Sequence, residues 1–485
     1  MTPGAWTYLP FLFGTVVLFW VLPKGRPREL LLLLSGYLFV FLLSPYFLLP
    51  LLYVTGISFV GAIIIERFTD SRNHTRVLFA FIFLVSAPLI FYKFRAPFLA
   101  ALHISTPEFS AATTVWIFPV GISFYTLLAI SYLVDVYLGK ASPISDPTRL
   151  ALFFNFFPKV IAGPLERAAG LMPQLACKLE FDADNAMSGI KCIIVGLVMK
   201  VGFADSVAAT VKDLFAHPGD ASALELYIGA IYYAYYAYAD FAGYSLIALG
   251  SALLFNIELS QNFRQPLLST NVLDFWRTWH ITFFLWLRDY AFTPLHLTFR
   301  RLGKIGLAIA LLLTLVFSGF WHGATMNYVC YALMQAIFII FAVATTPMRT
   351  KAWKKLAAPF WLRLSSAYLI TQSLILIGFV TFATPTIADA LTAYSKIFSS
   401  ELLNDIINIR SFKSYNHGAR LFFTYYPWIA MLFLGDVWAR YDLGAKMGAR
   451  CRNVSEIAFY NGCIVVILYN YWSHSAATPF LYAGF

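Results

Sequence analysis

Two histidines lie where their chemistry could be used. His322 follows an apolar run in the motif SGFWHGATM, and His280 lies in an aromatic segment that begins at Asp274. A buried neutral imidazole must find a hydrogen-bond partner or lose stability, and an ionisable residue within an apolar stretch is a functional-site candidate by default. We therefore predict that His322 is functional. Gly319 and Gly323 are predicted to let another group approach the backbone beside it.

The segment around His280 has the spacing of an amphipathic helix. At helical pitch, Trp276 and Trp279 share one aromatic stripe, whereas Arg277, His280 and Arg288 gather on roughly the opposite face. Such a helix cannot present its cations to lipid, so it should lie at an interface or pack inside protein. For His280 two interpretations stay open, a functional group or a satisfied helix histidine that anchors the segment among tryptophans.

The composition identifies the compartment. The chain is 60% hydrophobic and 12% charged, with a mean hydropathy of +0.71, which predicts a polytopic membrane protein. The formal charge of +11 is typical of basic cytoplasmic loops and does not favour nucleic-acid binding. The five cysteines are scattered, and no metal-ligand spacing occurs, so no metal site is expected. The first apolar run is expected to stay as a spanning helix because no cleavage site precedes its basic flank.

The elements that must position the histidines are apolar runs, each long enough to cross a bilayer at about 20 residues. Basic clusters fall in alternate loops, which predicts that both termini face outward. The run 223–255 could be one tilted helix or two short ones. The runs lie near 5–22, 29–45, 46–65, 77–92, 114–138, 186–206, 223–255, 305–323, 326–346, 366–386, 419–438 and 455–473.

Two further segments are too structured to be simple linkers. The apolar stretch 153–175 is broken by prolines and glycine, Pro173 among them, so we expect a re-entrant or interfacial element that lines the site. The outward segment 387–407 is helix-like, and it could be a lid or docking surface or an ordinary connecting loop. Asp240 is an intramembrane charge that could orient a histidine, pair with an arginine of the 277–301 region or bond tyrosine hydroxyls.

Seven sequence blocks resemble the membrane-bound O-acyltransferase (MBOAT) family, specifically its bacterial branch of alginate and other polysaccharide O-acetyltransferases. The resemblance covers about 118–336. It implies an all-α polytopic fold, a ring of about 11–12 transmembrane helices with re-entrant or interfacial helices around a central funnel. The blocks are FPVGISFYT (118–126), FPKVIAGPLER (157–167), DFAGYS (240–245), NF (262–263) with Pro266, FWRTWH (275–280), WLRDY (286–290) and WHGA (321–324).

On this resemblance the chain is expected to be a single integral-membrane acyltransferase domain, 1–485, with a signature core at 118–336 and peripheral helices at 1–110 and 360–485. His322 matches the family's catalytic histidine, and His280 matches its second signature histidine. Residues expected to bind the donor or support the site are Arg277, Trp276, Trp279, Arg288, Asp289, Asp240, Trp321 and Asn327.

The leading functional hypothesis is transfer of an acyl group, most readily acetyl, from a cytoplasmic donor such as acetyl-CoA towards hydroxyls of an extracytoplasmic glycan. His322 would act as general base, no cofactor is expected to be bound, and the protein would reside in the bacterial inner membrane. The resemblance also implies an extracytoplasmic transferase partner. Tyr482 could carry a transient acyl ester or could be an interfacial anchor.

Two alternatives to acetyl transfer stay open. D-alanyl transfer to teichoic acids is one, because the blocks at 240–245 and 262–263 resemble that related branch equally well. Departures from the acetyltransferase pattern at Thr278, 294–297 and 334–336 leave the choice open. The other is a transporter or flippase that uses the intramembrane polar groups as a permeation path, although no inverted repeat is found.

Overall fold

The computed structural model describes residues 7–69, 71–101, 118–176, 178–407, 416–446 and 449–473. All the regular secondary structure in these ranges is helical, and they contain no strand. The predicted all-α class is therefore confirmed. The described residues divide into two compact units, one formed by those of 7–197 with 243–261, the other by those of 198–242 with 262–473.

Several helices are long and apolar enough to cross a membrane, so the chain is a multi-pass membrane protein. Within the described residues there are six of them, and three shorter apolar helices accompany them. The predicted number of about 11–12 spans stays a prediction. The six are Pro45–Arg67, His74–Arg95, Ala183–Ala216, Ile281–His322, Met326–Lys355 and Phe360–Ala383, and the shorter three are Tyr8–Val21, Ile122–Tyr137 and Asn453–Tyr469.

The first unit contains eight of the described α-helices together with the end of a ninth. They begin with long apolar helices and end with shorter ones that flank an irregular segment. Their bounds are α1 Tyr8–Val21, α2 Arg26–Leu43, α3 Leu48–Arg67, α4 His74–Ala101, α5 Ile122–Tyr137, α6 Pro147–Asn155, α7 Ala168–Leu175 and α8 Ala183–Leu197.

The irregular segment 156–167 is buried except for Arg167, and its expected place beside the site stays a prediction. Irregular backbone is tolerated in an apolar interior only where its polar groups find partners, and two residues of 243–261 supply them. The Tyr244 hydroxyl donates to the Pro158 carbonyl at 3.2 Å. The Glu166 carboxylate accepts from the Ser260 backbone N–H at 2.5 Å and from its hydroxyl at 3.0 Å. Pro173, expected to break the chain, instead lies inside α7.

A lysine is enclosed in the same segment. Lys159 is 3% exposed, and its Nζ lies 4.9 Å from the centre of the Phe153 ring. Burial lowers the pKa of Lys159 to about 7, against the attraction of Glu166. Burial likewise raises the pKa of the Glu166 carboxyl. Both shifts have one cause, since an apolar surrounding disfavours the charged form of either group.

The second unit holds the remaining helices. A π-helical turn, Val198–Ala204, continues α8 into α9, so the predicted run 186–206 extends to Ala216. The bounds are α9 Asp205–Ala216, α10 Ala223–Leu253 (to Ala242 in this unit), α11 Val272–Thr278, α12 Ile281–Leu287, α13 Thr293–Phe299, α14 Gly303–His322, α15 Met326–Lys355, α16 Phe360–Ala383, α17 Ile387–Ile397, α18 Ser400–Ile407, α19 Asn416–Arg440 and α20 Ala449–Ser473.

The number of helices in the run 223–255, which the sequence left open, is decided here: the run is one helix, α10. The stretch 387–407, expected to be helix-like, is two helices, broken at Phe398 and Ser399. A capping box formed by Thr386 and Asp389 starts α17. Lys396 then ties α17 to the loop before α10 by donating to the carbonyls of residues 219 and 221 at 2.5 and 2.7 Å.

Candidate active site

The aromatic segment around His280 is not one helix. Asn271 caps α11 by accepting the Asp274 backbone N–H at 2.8 Å, and α11 ends at Thr278. His280 then takes left-handed backbone angles, φ 46° and ψ 53°, and α12 begins at the next residue. The prediction of a continuous helix through His280 is therefore wrong, because a left-handed residue ends one helix and redirects the chain into the next.

The break removes His280 from the basic face where helical pitch predicts it. Its side chain is buried at 2% exposure. Phe283 stacks on the imidazole at 4.9 Å and 25°, and Phe241 meets it edge-on at 4.6 Å and 77°. The side chains of Arg277 and Arg288 are 60% and 55% exposed. The structure therefore groups His280 with aromatic rings and leaves the two arginines outside that cluster.

His322 is the last residue of α14 and is also buried, at 6% exposure. Phe382 of α16 meets its ring edge-on at 5.5 Å, and the Tyr328 ring of α15 lies 6.3 Å away. Phe283 lies 6.1 Å from the His322 ring. Since Phe283 also stacks on His280, one phenyl ring lies beside both imidazoles. Trp321 completes this cluster by stacking on Phe283 at 4.4 Å.

The two glycines beside His322 admit the start of α15, as predicted. A Cβ added at Gly319 would lie 2.8 Å from the backbone oxygen of Tyr328. A Cβ added at Gly323 would lie 2.3 Å from the Tyr328 ring. Contacts this short do not occur in folded proteins, so both positions require glycine for the observed packing. The glycines therefore fix how closely Tyr328 approaches the histidine.

The tryptophans and Asn327 have structural contacts in the same unit. Trp279 is buried between Phe275 and Phe379, with ring centres 5.3 and 5.6 Å away. Trp276 lies at the edge of this group of rings, and its ring centre is 6.5 Å from that of Tyr331. Asn327 donates to the Thr384 carbonyl at 2.8 Å, which joins the start of α15 to the end of α16.

The charged residues predicted for the site form short-range pairs with their neighbours. Arg277 lies 3.8 Å from Asp274, and Arg288 donates to Asp289 at 2.8 Å. Exposed pairs of this kind contribute little stability, about 0–1 kcal/mol. Their side chains remain accessible to an anionic ligand. Tyr482 lies outside the residues that the structure describes.

Asp240 has a partner that the sequence did not suggest. The Lys200 ammonium donates to Asp240 at 2.7 Å and to Asp205 at 2.6 Å, and all three side chains are less than 10% exposed. Lys200 lies in the π-helical turn, a feature often found at functional sites. The partner that the structure shows for Asp240 is thus a lysine of another helical segment, in addition to the partners that the sequence suggested. Because Phe241 packs on His280, the network fixes the part of α10 that supports the histidine.

Sequence reasoning missed the two residues that join the histidine cluster together. Phe283 lies beside both imidazoles, and Asn262 Oδ1 lies within hydrogen-bond distance of His280 Nδ1, at 3.0 Å. The block NF at 262–263 was the available signal for Asn262, but no spacing relates it to His280.

The second unit also contains a cavity of about 470 Å³. It contains none of the residues predicted for the site, so the chemistry is assigned here to the enclosed histidine cluster and not to the cavity. Its lining is almost entirely apolar and aromatic, and comprises Ile228, Ile231, Tyr232, Ala234, Tyr235, Leu267, Tyr368, Gln372, Leu376, Tyr426, Ile429, Ala430 and Phe433.

Comparison with known proteins shows which family the sequence matches. The sequence profile of the membrane-bound O-acyltransferase family matches residues 140–379, a range that includes both histidines. A probable alginate O-acetylase of Pseudomonas aeruginosa is 30% identical over 398 residues, which cover 80% of this chain and 73% of that protein.

Two other relatives differ in the group that their names say they transfer. A peptidoglycan O-acetyltransferase of Helicobacter pylori is 29% identical over 399 residues, covering 75% of this chain and 72% of the relative. A teichoic acid D-alanyltransferase of Bacillus subtilis is 28% identical over 276 residues, covering 54% of this chain and 68% of the relative. The similarity to the two acetylating relatives extends over more of this chain.

Proposed function

Because the chain belongs to the membrane-bound O-acyltransferase family, we propose that it moves an acetyl group from a cytoplasmic donor to an acceptor beyond the membrane. The chain is a membrane O-acyltransferase. We propose acetyl-CoA or another activated thioester as donor, and a hydroxyl of an extracytoplasmic polysaccharide or cell-wall glycan as final acceptor. The membrane would be the bacterial inner membrane. The extent of similarity to the alginate and peptidoglycan acetyltransferases supports acetyl over D-alanyl.

The observation that carries the chemistry is the burial of His322 at the end of α14, beside the Phe283 ring that also stacks on His280. A neutral imidazole is the form of histidine that can accept a proton. His322 would take the proton of the attacking hydroxyl as the new C–O bond forms. The C–S bond of the thioester then breaks, and the proton passes to the leaving thiolate. General base catalysis of this kind contributes about 10²- to 10⁴-fold in rate.

The exposed arginines suit a role in donor capture. Arg277 and Arg288 keep more than half of their side-chain surface accessible, and guanidinium groups bind phosphates bidentately. A CoA thioester carries phosphates, so we propose that these arginines attract the donor, while the histidine cluster acts on its thioester. Replacing either arginine should therefore raise KM for the donor more than it lowers kcat.

The test is acyl transfer by the purified full-length protein in proteoliposomes supplied with radiolabelled acetyl-CoA. The readouts are labelled acceptor and hydrolysed donor. His322→Ala is expected to lose about 10²- to 10⁴-fold of the transfer rate. His217→Ala is the matched control, because His217 is an exposed histidine at the end of α9. Undiminished acetylation by His322→Ala at normal protein levels would contradict the assignment of the base.

D-alanyl transfer is the second candidate, favoured by the similarity to the Bacillus subtilis enzyme. Running the same assay with a D-alanyl carrier protein as donor separates the two candidates. Transfer from the carrier protein and none from acetyl-CoA would replace the acetyl proposal. Because the family is one of acyltransferases, the transporter alternative is set aside.

We also propose that an extracytoplasmic transferase docks on α17 and α18. These two helices and the turn between them leave large apolar side chains exposed, Leu391, Phe398, Leu403 and Ile407 among them, and exposed apolar surface can mark an interaction site. Pull-down from native membranes should recover a secreted or lipid-tethered protein. The Leu403→Glu and Ile407→Glu variants should lose it, and recovery of no such protein by the wild type would count against the proposal.

A further inference from the structure

Asn262 lies at the centre of the hydrogen bonds that hold His280. Its side-chain oxygen Oδ1 lies 3.0 Å from His280 Nδ1. The same oxygen accepts the Thr282 hydroxyl at 2.9 Å and the Thr282 backbone N–H at 3.3 Å. Asn262 is itself buried. Three donors thus converge on one atom of a residue that the proposed mechanism does not use.

These contacts determine which imidazole nitrogen carries the proton. A backbone N–H can only donate, so the Asn262 atom that meets the Thr282 N–H is the amide oxygen and not the nitrogen. An amide oxygen can only accept, so His280 Nδ1 must be protonated. In the neutral ring the other nitrogen, Nε2, then holds the lone pair. The donor character of the Thr282 N–H therefore determines which of the two side-chain amide atoms of Asn262 is the oxygen.

The backbone of Asn262 holds the same region. Its carbonyl accepts the Ile281 N–H at 2.9 Å, and the Arg264 N–H donates to the Thr278 carbonyl at 2.9 Å. The segment around Asn262 is therefore bonded on both sides of His280. A left-handed conformation is unfavourable for a residue other than glycine, and it persists only where surrounding contacts determine it. These bonds are such contacts, and they set the direction in which the His280 ring leaves the chain.

We propose that Asn262 is a positioning residue that holds His280 as the Nδ1–H tautomer, with Nε2 as a hydrogen-bond acceptor. In this tautomer neutral His280 cannot donate from Nε2 to an oxyanion. It acts on the side of the attacking group, accepting a hydrogen bond through Nε2 while His322 takes the proton. The role in turnover rests on the function proposed above. The tautomer itself is a property of the resting protein.

The tautomer is measured on the full-length protein in lipid bilayers by solid-state NMR with ¹⁵N-labelled histidine. The His280 resonances are identified by their absence in His280→Gln. We expect a protonated Nδ1 and an unprotonated Nε2. Asn262→Leu is expected to shift the proton to Nε2 or to give a mixture, whereas Asn262→Asp keeps an oxygen acceptor and the Nδ1–H form. A wild-type His280 protonated at Nε2, or Nδ1–H retained in Asn262→Leu, would overturn the proposal.

Turnover gives a second readout. Asn262→Leu should lower kcat by about 10²-fold, the cost of misplacing a catalytic group by about 1 Å, and should leave KM unchanged. Asn262→Asp should recover most of that loss, which a purely structural defect would not show. In a His280→Gln background Asn262→Leu should cause no further loss, and an equal loss there would contradict action through His280.

Thr282→Val is the matched control for these measurements. It removes one donor to the same oxygen while keeping the shape of the side chain and the backbone N–H, so the Nδ1–H form should persist. Failure of the general-base assignment would appear as activity in His322→Ala. The NMR measurement needs no turnover and decides the Asn262 proposal separately.

Discussion

Replacing Gly323 by alanine tests whether the turn after His322 is packed tightly enough to hold the base. The added Cβ would lie 2.3 Å from Cε2 and 2.4 Å from Cδ2 of the Tyr328 ring. Gly323 has extended backbone angles, φ −177° and ψ 171°, which any residue adopts. The effect of the substitution is therefore steric, and it falls on one identified side chain.

The expected magnitude follows from these distances. Ordinary van der Waals contact begins at 3.4 Å, so the Tyr328 ring or the turn must move by about 1 Å. The ring lies 6.3 Å from His322 and packs edge-on against Phe382, which itself faces the imidazole. A misplacement of about 1 Å can cost about 10²-fold in rate. Overpacking of this kind also destabilises by about 1–3 kcal/mol.

The assay is kcat for acetyl transfer in proteoliposomes, with the melting temperature measured in parallel. Gly56→Ala in α3 is the control, because a Cβ there meets no atom within 4 Å. It should keep full activity. Adding Tyr328→Leu to Gly323→Ala makes room for the methyl group, so the two losses should be less than additive. A Gly323→Ala variant with wild-type kcat would refute the reasoning, because the ring could then move without disturbing His322.

Three further substitutions test other parts of the chain. Lys200→Met removes the buried ammonium that bonds the Asp205 and Asp240 carboxylates, so it should lower the free energy of unfolding by about 3–5 kcal/mol, measured by melting. Neutralising both aspartates as well should restore much of the loss. Lys159→Met should raise the melting temperature at pH 7. With a pKa of about 7 in the folded protein against 10.5, wild-type stability should fall as pH drops from about 10 to 7, and the variant should lack that slope. Tyr482→Phe keeps the ring and removes the hydroxyl, so full glycan acylation in that variant would eliminate an acyl relay through Tyr482.

The helical class and the packing of His322 could be predicted because both depend on local sequence. A run of about 20 apolar residues forms a helix in lipid whatever lies around it. Two glycines flanking a histidine likewise indicate close approach, and the structure identifies Tyr328 as the approaching residue. In both cases the residues that determine the outcome are adjacent in the chain.

The position of His280 could not be predicted, because a distant residue determines it. Helical pitch places His280 beside Arg277, but Asn262, separated from it by 18 positions, bonds the ring and the flanking backbone and breaks the helix there. Asp240 is similar, since its partner Lys200 is separated from it by 40 positions and lies in another helical segment. Periodicity describes a regular helix, and it contains no information about such tertiary contacts.

The same arrangement explains why a polar reaction can take place among phenyl rings. Water is itself a hydroxyl nucleophile, so an activated thioester must be kept from it if transfer is to outpace hydrolysis. Phe283, Phe382 and Trp321 pack directly on the imidazoles, which in the proposed function would keep water from the histidines. Rings alone cannot fix a proton on one nitrogen, however, and a mobile tautomer would leave His280 without a fixed acceptor for the attacking group. The Asn262 side-chain amide holds the proton on one nitrogen of His280, and it does so without admitting water or a second charge. Exclusion of water therefore comes from the aromatic rings, and orientation of the imidazole comes from Asn262. Both act on His280 because the helix is broken there.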